Sequence, residues 1–122
     1  RAVARSAPGL CSADIARVEV FAVVHRHLRE KRLERRHVRQ VLARFEEDER
    51  AGVWTWLATT PELIRSTCDI LRGLPASVYV RSADAIHLTC AREHGHRVVY
   101  TNDRHMIAAA RHFRVTATNL LD

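Results

Sequence analysis

Three carboxylates sit where carboxylates are out of place. Glu19 lies among Val18, Val20, Phe21 and Ala22. Asp84 falls in the first turn of a segment, 81–91, ringed by Ala83, Ala85, Ile86, Leu88, Cys90 and Ala91. Asp103 closes the turn Thr101-Asn102-Asp103, just after the apolar run Val98-Val99-Tyr100. Two of them have a plain alternative. Asp84 answers orphan N–H groups at a helix start, and Glu19 pairs with Arg26 or another arginine on a polar side. Burying an unpaired carboxylate costs roughly several kcal/mol, so Glu19 needs a cation, a metal or water beside it. If the three acids converge, one chemistry follows. Clustered carboxylates repel one another until a cation neutralises them. Oxygen-rich acidic sites favour Mg²⁺ or Mn²⁺, which keep several waters and bind phosphate. Such a site activates water and stabilises charge on phosphoryl oxygens.

Elements must bring those acids together. Leu10-Cys11-Ser12 reads as a short buried strand, after an Ala7-Pro8-Gly9 break that ends a helical tail over Arg1 to Ser6. A helix from about Asp14 to Arg29 carries Ile15, Val18, Phe21, Ala22 and Val24 on a broad apolar face. His37 to Glu49 form the next helix, and its acidic end, Glu46 to Glu49, opposes the dipole and is expected to be exposed. Gly52 stops it. Val53 to Leu57 alternates in strand fashion, with Trp54 and Trp56 on one face. Thr60-Pro61-Glu62 opens a helix whose buried stripe is read as Leu63, Ile64, Thr67, Cys68, Ile70 and Leu71, ending at Gly73 and Pro75. The Asp84 helix runs from about Ser82 to His94, with Gly95 at its C′ position. Val98 to Tyr100 is a strand, Met106 to Arg111 a helix, and Val115 to Ala117 a last strand. Alternation of helices with short apolar strands implies an α/β sandwich around a mostly parallel sheet. Ligands of such sheets sit beyond the strands' carboxyl ends, where Asp103 falls.

Composition narrows the partners. The chain has 122 residues, 47% hydrophobic and 28% charged, which fits one packed domain over 1–122. A net charge of +6 favours polyanions such as RNA, DNA or an acidic protein. Arginines and a lysine cluster from Arg26 to Arg39, interrupted by Glu30 and Glu34, as on a solvated face. No aromatic interleaves that cluster, so it is no base-stacking platform. Eight histidines show no zinc-type spacing. Cys11, Cys68 and Cys90 read as reduced thiols in a reducing compartment. No membrane span or secretory segment is apparent, so a cytoplasmic protein is expected. There is no glycine-rich phosphate loop and no helix-turn-helix pattern.

Three segments resemble, in order and spacing, the later acidic motifs of PIN-domain ribonucleases: Ser12-Ala13-Asp14-Ile15-Ala16-Arg17-Val18-Glu19, Arg81-Ser82-Ala83-Asp84-Ala85-Ile86-His87-Leu88 and Val99-Tyr100-Thr101-Asn102-Asp103. The nearest likeness is to the VapC-type toxins of VapBC toxin–antitoxin pairs. The resemblance implies a three-layer α/β/α sandwich, Mg²⁺- or Mn²⁺-dependent cleavage of RNA, a homodimer, and an antitoxin that blocks the acidic pocket. It implies that Glu19, Asp84 and Asp103 are the catalytic and metal-binding acids, with Thr101 a polar neighbour. The family opens with a short apolar strand ending in Asp, expected mid-sheet, and this chain shows no counterpart. Asp14 does not replace that residue, because it lies at the start of the Glu19 helix. The expectation is an N-terminally incomplete PIN-like domain whose upstream piece was removed, is a separate chain, or is supplied by another copy. The competing expectation is a catalytically inactive module that binds RNA or a protein through its basic and Trp-bearing faces.

Overall fold

The computed structural model describes residues 10–119, so the helical tail expected over Arg1 to Ser6 and the break after it lie outside the described residues. The chain divides into two compact units, one up to Trp56 and one from Leu57.

The first unit holds β1 (Leu10–Ala13), α1 (Ile15–Arg29), α2 (Arg35–Arg50) and β2 (Trp54–Leu57), which straddles the boundary. β1 and β2 form a two-stranded sheet, with the Leu10 N–H donating to the Val53 carbonyl at 3.0 Å. α2 ends where expected: Gly52 follows it at φ +78°, a left-handed value that glycine adopts without a Cβ penalty. The strand alternation puts Trp54 and Trp56 on one face, as the sequence predicts, and their rings stack 5.6 Å apart. Phe45 of α2 lies 6.4 Å and 6.2 Å from those two rings and meets Phe21 of α1 edge-on at 6.1 Å. These four aromatics tie helix to helix and helix to strand.

Two expectations for this unit need correction. α1 does not bury the whole face assigned to it: Val24 is buried, but Val18 is 70% exposed. Hydrophobics at consecutive positions 20–24 wrap around a helix, and packing through Phe21 selects only part of that circumference. The acidic end of α2 is not merely solvated either. Glu49 accepts from Arg17 Nε at 2.8 Å and from Trp56 Nε1 at 2.9 Å, so it links α1, α2 and β2. The Arg17 hydrogen bond above all holds the Glu49 carboxyl below its ordinary value.

The second unit holds α3 (Pro61–Arg72), α4 (Ser82–Glu93), β3 (Val98–Tyr100), α5 (Arg104–Ala109), a 3₁₀ turn (Ala110–Phe113) and β4 (Thr116–Thr118). β3 and β4 run parallel, with Val98 opposite Thr116 and Tyr100 opposite Thr118. The α/β class expected from the sequence is observed. Strand pairing among the described residues is confined to two two-stranded sheets. Thr60 caps α3, its Oγ1 accepting from the Leu63 N–H at 3.1 Å, with Pro61 in the first turn. The buried row on α3 is Leu63 and Thr67, continued by half-buried Ile70 and, just past the helix, Leu74. Ile64, Cys68 and Leu71, expected in the same stripe, form the adjacent row and are exposed.

The core gathers Ala85 and Leu88 of α4, Met106 and Ala109 of α5, Ala110 and Phe113 of the turn, and Val115 and Ala117 around β4. Four of these are alanines, which lets the backbones approach closely around Phe113. α4 has almost no polar side, as its composition predicts. Its buried Thr89 satisfies its hydroxyl on the Ala85 carbonyl at 2.8 Å, and Thr67 does the same on Leu63 at 2.8 Å. Gly95, at φ +76°, lies just past the end of α4.

Candidate active site

Asp84 and Asp103 are delivered by different local devices. Arg81 is the N-cap residue of α4, with extended backbone at φ −89° and ψ 161°, and Asp84 sits three residues on, buried in the first turn at 9% exposure. Asp103 is the N-cap of α5: its Oδ1 accepts from the N–H groups of His105 at 2.8 Å and Met106 at 3.2 Å. The Asp103 N–H donates in turn to Thr101 Oγ1 at 3.1 Å. Thr101 is fixed by the sheet, since its own N–H extends the β3–β4 ladder to the Thr118 carbonyl at 3.0 Å. The side chain of Asp103 is therefore set by strand, turn and helix together.

The two acids meet on one guanidinium. Arg81 donates from Nε to Asp84 Oδ2 at 3.2 Å and from Nη2 to Asp103 Oδ2 at 2.6 Å. Asp103 thus divides its oxygens, Oδ1 capping a helix and Oδ2 facing a cation. The Met106 N–H is the main influence holding the Asp103 carboxyl below its ordinary value; burial opposes it, while the His105 N–H and the Arg81 charge reinforce it. Arg81 is pushed above its ordinary value, first by the hydrogen bond to Asp84 and then by the charges of Asp84 and Asp103.

Of the residues singled out in the sequence, Asp84, Asp103 and Thr101 are brought together within the second unit. Glu19 lies on α1 in the first unit and is exposed, not embedded in an apolar face as the sequence suggests, because α1 turns only part of its hydrophobic circumference inward. Among the described residues of the second unit, no group of three or more His, Cys, Asp or Glu side chains could hold a metal ion. Sequence reading missed Arg81. Its signal is a cation three residues before an acid at a helix start, where the two side chains share a face.

The pair of carboxylates fits a hard divalent cation in donor chemistry. Both Oδ2 atoms already face a common positive charge, and Mg²⁺ is ordinarily held by one or two carboxylates with water and phosphate completing its shell.

The second unit sets two acids beside one another, one of them just past a strand's carboxyl end, where ligands of α/β sheets commonly sit. The sequence matches the PIN domain family over residues 1–112, and the chain belongs to that family. The family is one of nucleases, and divalent metals are its usual cofactors. Comparison with curated proteins and with solved structures finds no match.

Proposed function

We propose that this chain is a Mg²⁺- or Mn²⁺-dependent endoribonuclease that hydrolyses RNA phosphodiester bonds, acting as the toxin of a type II toxin–antitoxin pair. The observation that carries the reading is the meeting of Asp84 Oδ2 and Asp103 Oδ2 on one cation, Arg81. Asp84 and Asp103 would hold the metal, and Glu19 is the third acid by its place in the family's motif order. When bound, the ion supplies an activated water and stabilises charge on the phosphoryl oxygens. The chain's own part is readiness. The Met106 and His105 N–H groups and Arg81 stabilise the ionised form of Asp103. Arg81 keeps two carboxylates close that would otherwise repel. The cognate antitoxin and a second copy of the chain are the proposed protein partners.

Asp84→Asn tests the assignment. It should abolish Mg²⁺-dependent cleavage of single-stranded RNA while moving the melting temperature by only a few degrees, read by calorimetry. A variant that cuts as well as the parent would overturn the site. A second reading, a non-catalytic module that binds RNA or protein, is favoured by the fact that Arg81 already gives both acids a counter-charge. A Mn²⁺ titration separates the two: saturable binding that Asp84→Asn abolishes supports the nuclease, and no binding supports the module.

A further inference from the structure

Beside the acid pair lies a cavity of about 370 Å³ whose lining includes Tyr79, His105, Arg111, His112 and Ser77 and contains no carboxylate. We propose that it is the subsite for one nucleotide of a single-stranded RNA, with the base against Tyr79 and the phosphate on Arg111 and His112. Naming RNA as the ligand rests on the nuclease reading above; the site itself rests on the geometry that follows.

Two chain segments build both features. Arg81 meets Asp103 at 2.6 Å, and two residues away on each segment Tyr79 meets His105, ring centroids 4.4 Å apart. The pairing of 81 with 103 and 79 with 105 places the aromatic pair next to the acid pair by construction. Tyr79 also lies close enough to Arg81 to influence its charge. A tyrosine 56% exposed forgoes the burial that its ring would gain in a core, yet this one is held against a histidine. Stacking on Tyr and His rings is how single-stranded RNA bases are commonly held, and it tolerates any base because every base has a π-face. The volume lies in the lower range of small-ligand pockets and suits one nucleotide. The Arg111 guanidinium and the His112 imidazole of the lining supply donors for phosphate oxygens. A second cavity of about 290 Å³ offers a contrast: Glu62 and Glu93 line it, so it would repel the same ligand.

The test measures binding without catalysis. Fluorescence anisotropy would follow a short fluorescein-labelled oligoadenylate on the full chain in EDTA. Tyr79→Ala should weaken binding about tenfold, the range of one lost base stack. Tyr79→Phe should restore it, and an abasic oligomer should bind the parent and Tyr79→Ala alike. Arg111→Gln should weaken binding and flatten its salt dependence. Equal affinity of Tyr79→Ala and the parent for oligoadenylate overturns the subsite, as does failure of the parent to bind. The nuclease reading stands or falls separately. A parent that binds through Tyr79 but never cleaves with Mg²⁺ keeps the subsite and sinks the enzyme; a parent that cleaves with Tyr79 irrelevant does the reverse.

Discussion

Arg81 and Asp103 carry the residue-scale consequences. The folded Asp103 carboxyl titrates below its unfolded value, so its ionisation contributes stability that is present above the unfolded value, near pH 4, and is lost as pH falls through the folded one. Asp103→Asn should therefore cost stability at neutral pH, and the gap from the parent should close as acid protonates the parent's carboxyl. Urea unfolding from neutral pH down to about pH 2 would show it; a gap that stays constant with pH would refute a charge-based role. Arg81→Ala should lower the melting temperature at neutral pH for the complementary reason, since two carboxylates would lose their shared counter-charge. The acids themselves were legible: an Asp in the first turn of a nearly all-apolar helix and an Asp just past a strand stand out by type and place. Arg81 was not, because a cation near a helix start looks like any surface arginine until Asp103 arrives from 22 positions away. The Tyr79–His105 contact was hidden for the same reason.

At the scale of elements, the boundaries were written locally and the faces were not. Thr60 acts through its own hydroxyl, and Pro61 and Gly95 through their own backbones, so the start of α3 and the end of α4 could be read from a few residues. Which row of α3 turns inward depends on what lies opposite. Leu63-Thr67-Ile70 and Ile64-Cys68-Leu71 have the same helical spacing, and only packing onto the rest of the unit chooses the first. Glu49 likewise belongs to an acidic run that looks solvated until Arg17 and Trp56 close on it. The Thr60 cap makes this scale testable. Thr60→Ala should cost about 1 kcal/mol of stability by urea unfolding, and Thr60→Ser should keep most of it. An unchanged midpoint for Thr60→Ala would mean that α3 is held by packing alone.

At the scale of the whole molecule, charge decides what approaches. Twenty Lys and Arg residues face fourteen Asp and Glu, for a net charge of +6. Seven cations and two acids fall between Arg26 and Arg39, where every arginine is exposed. Some of that charge is spent locally: Arg32 pairs with Glu30 at 3.6 Å and Arg36 with Glu34 at 3.1 Å. Exposed pairs of this kind are weak, so a polyanion can displace them. Among the described residues no helix is long and apolar enough to cross a membrane. Single-stranded RNA should then bind with counterion release, its logarithmic affinity falling by about 0.7 per neutralised phosphate for each unit of log salt. For about three phosphates, binding in EDTA should weaken by roughly an order of magnitude between 50 and 200 mM salt. Replacing Arg29 and Lys31 with glutamine would show whether the α1–α2 connection supplies any of those contacts. A solvated face predicts an unchanged slope for that double variant, whereas a phosphate track predicts a shallower one. A parent whose affinity ignores salt altogether would mean that the surplus charge serves something other than a nucleic acid.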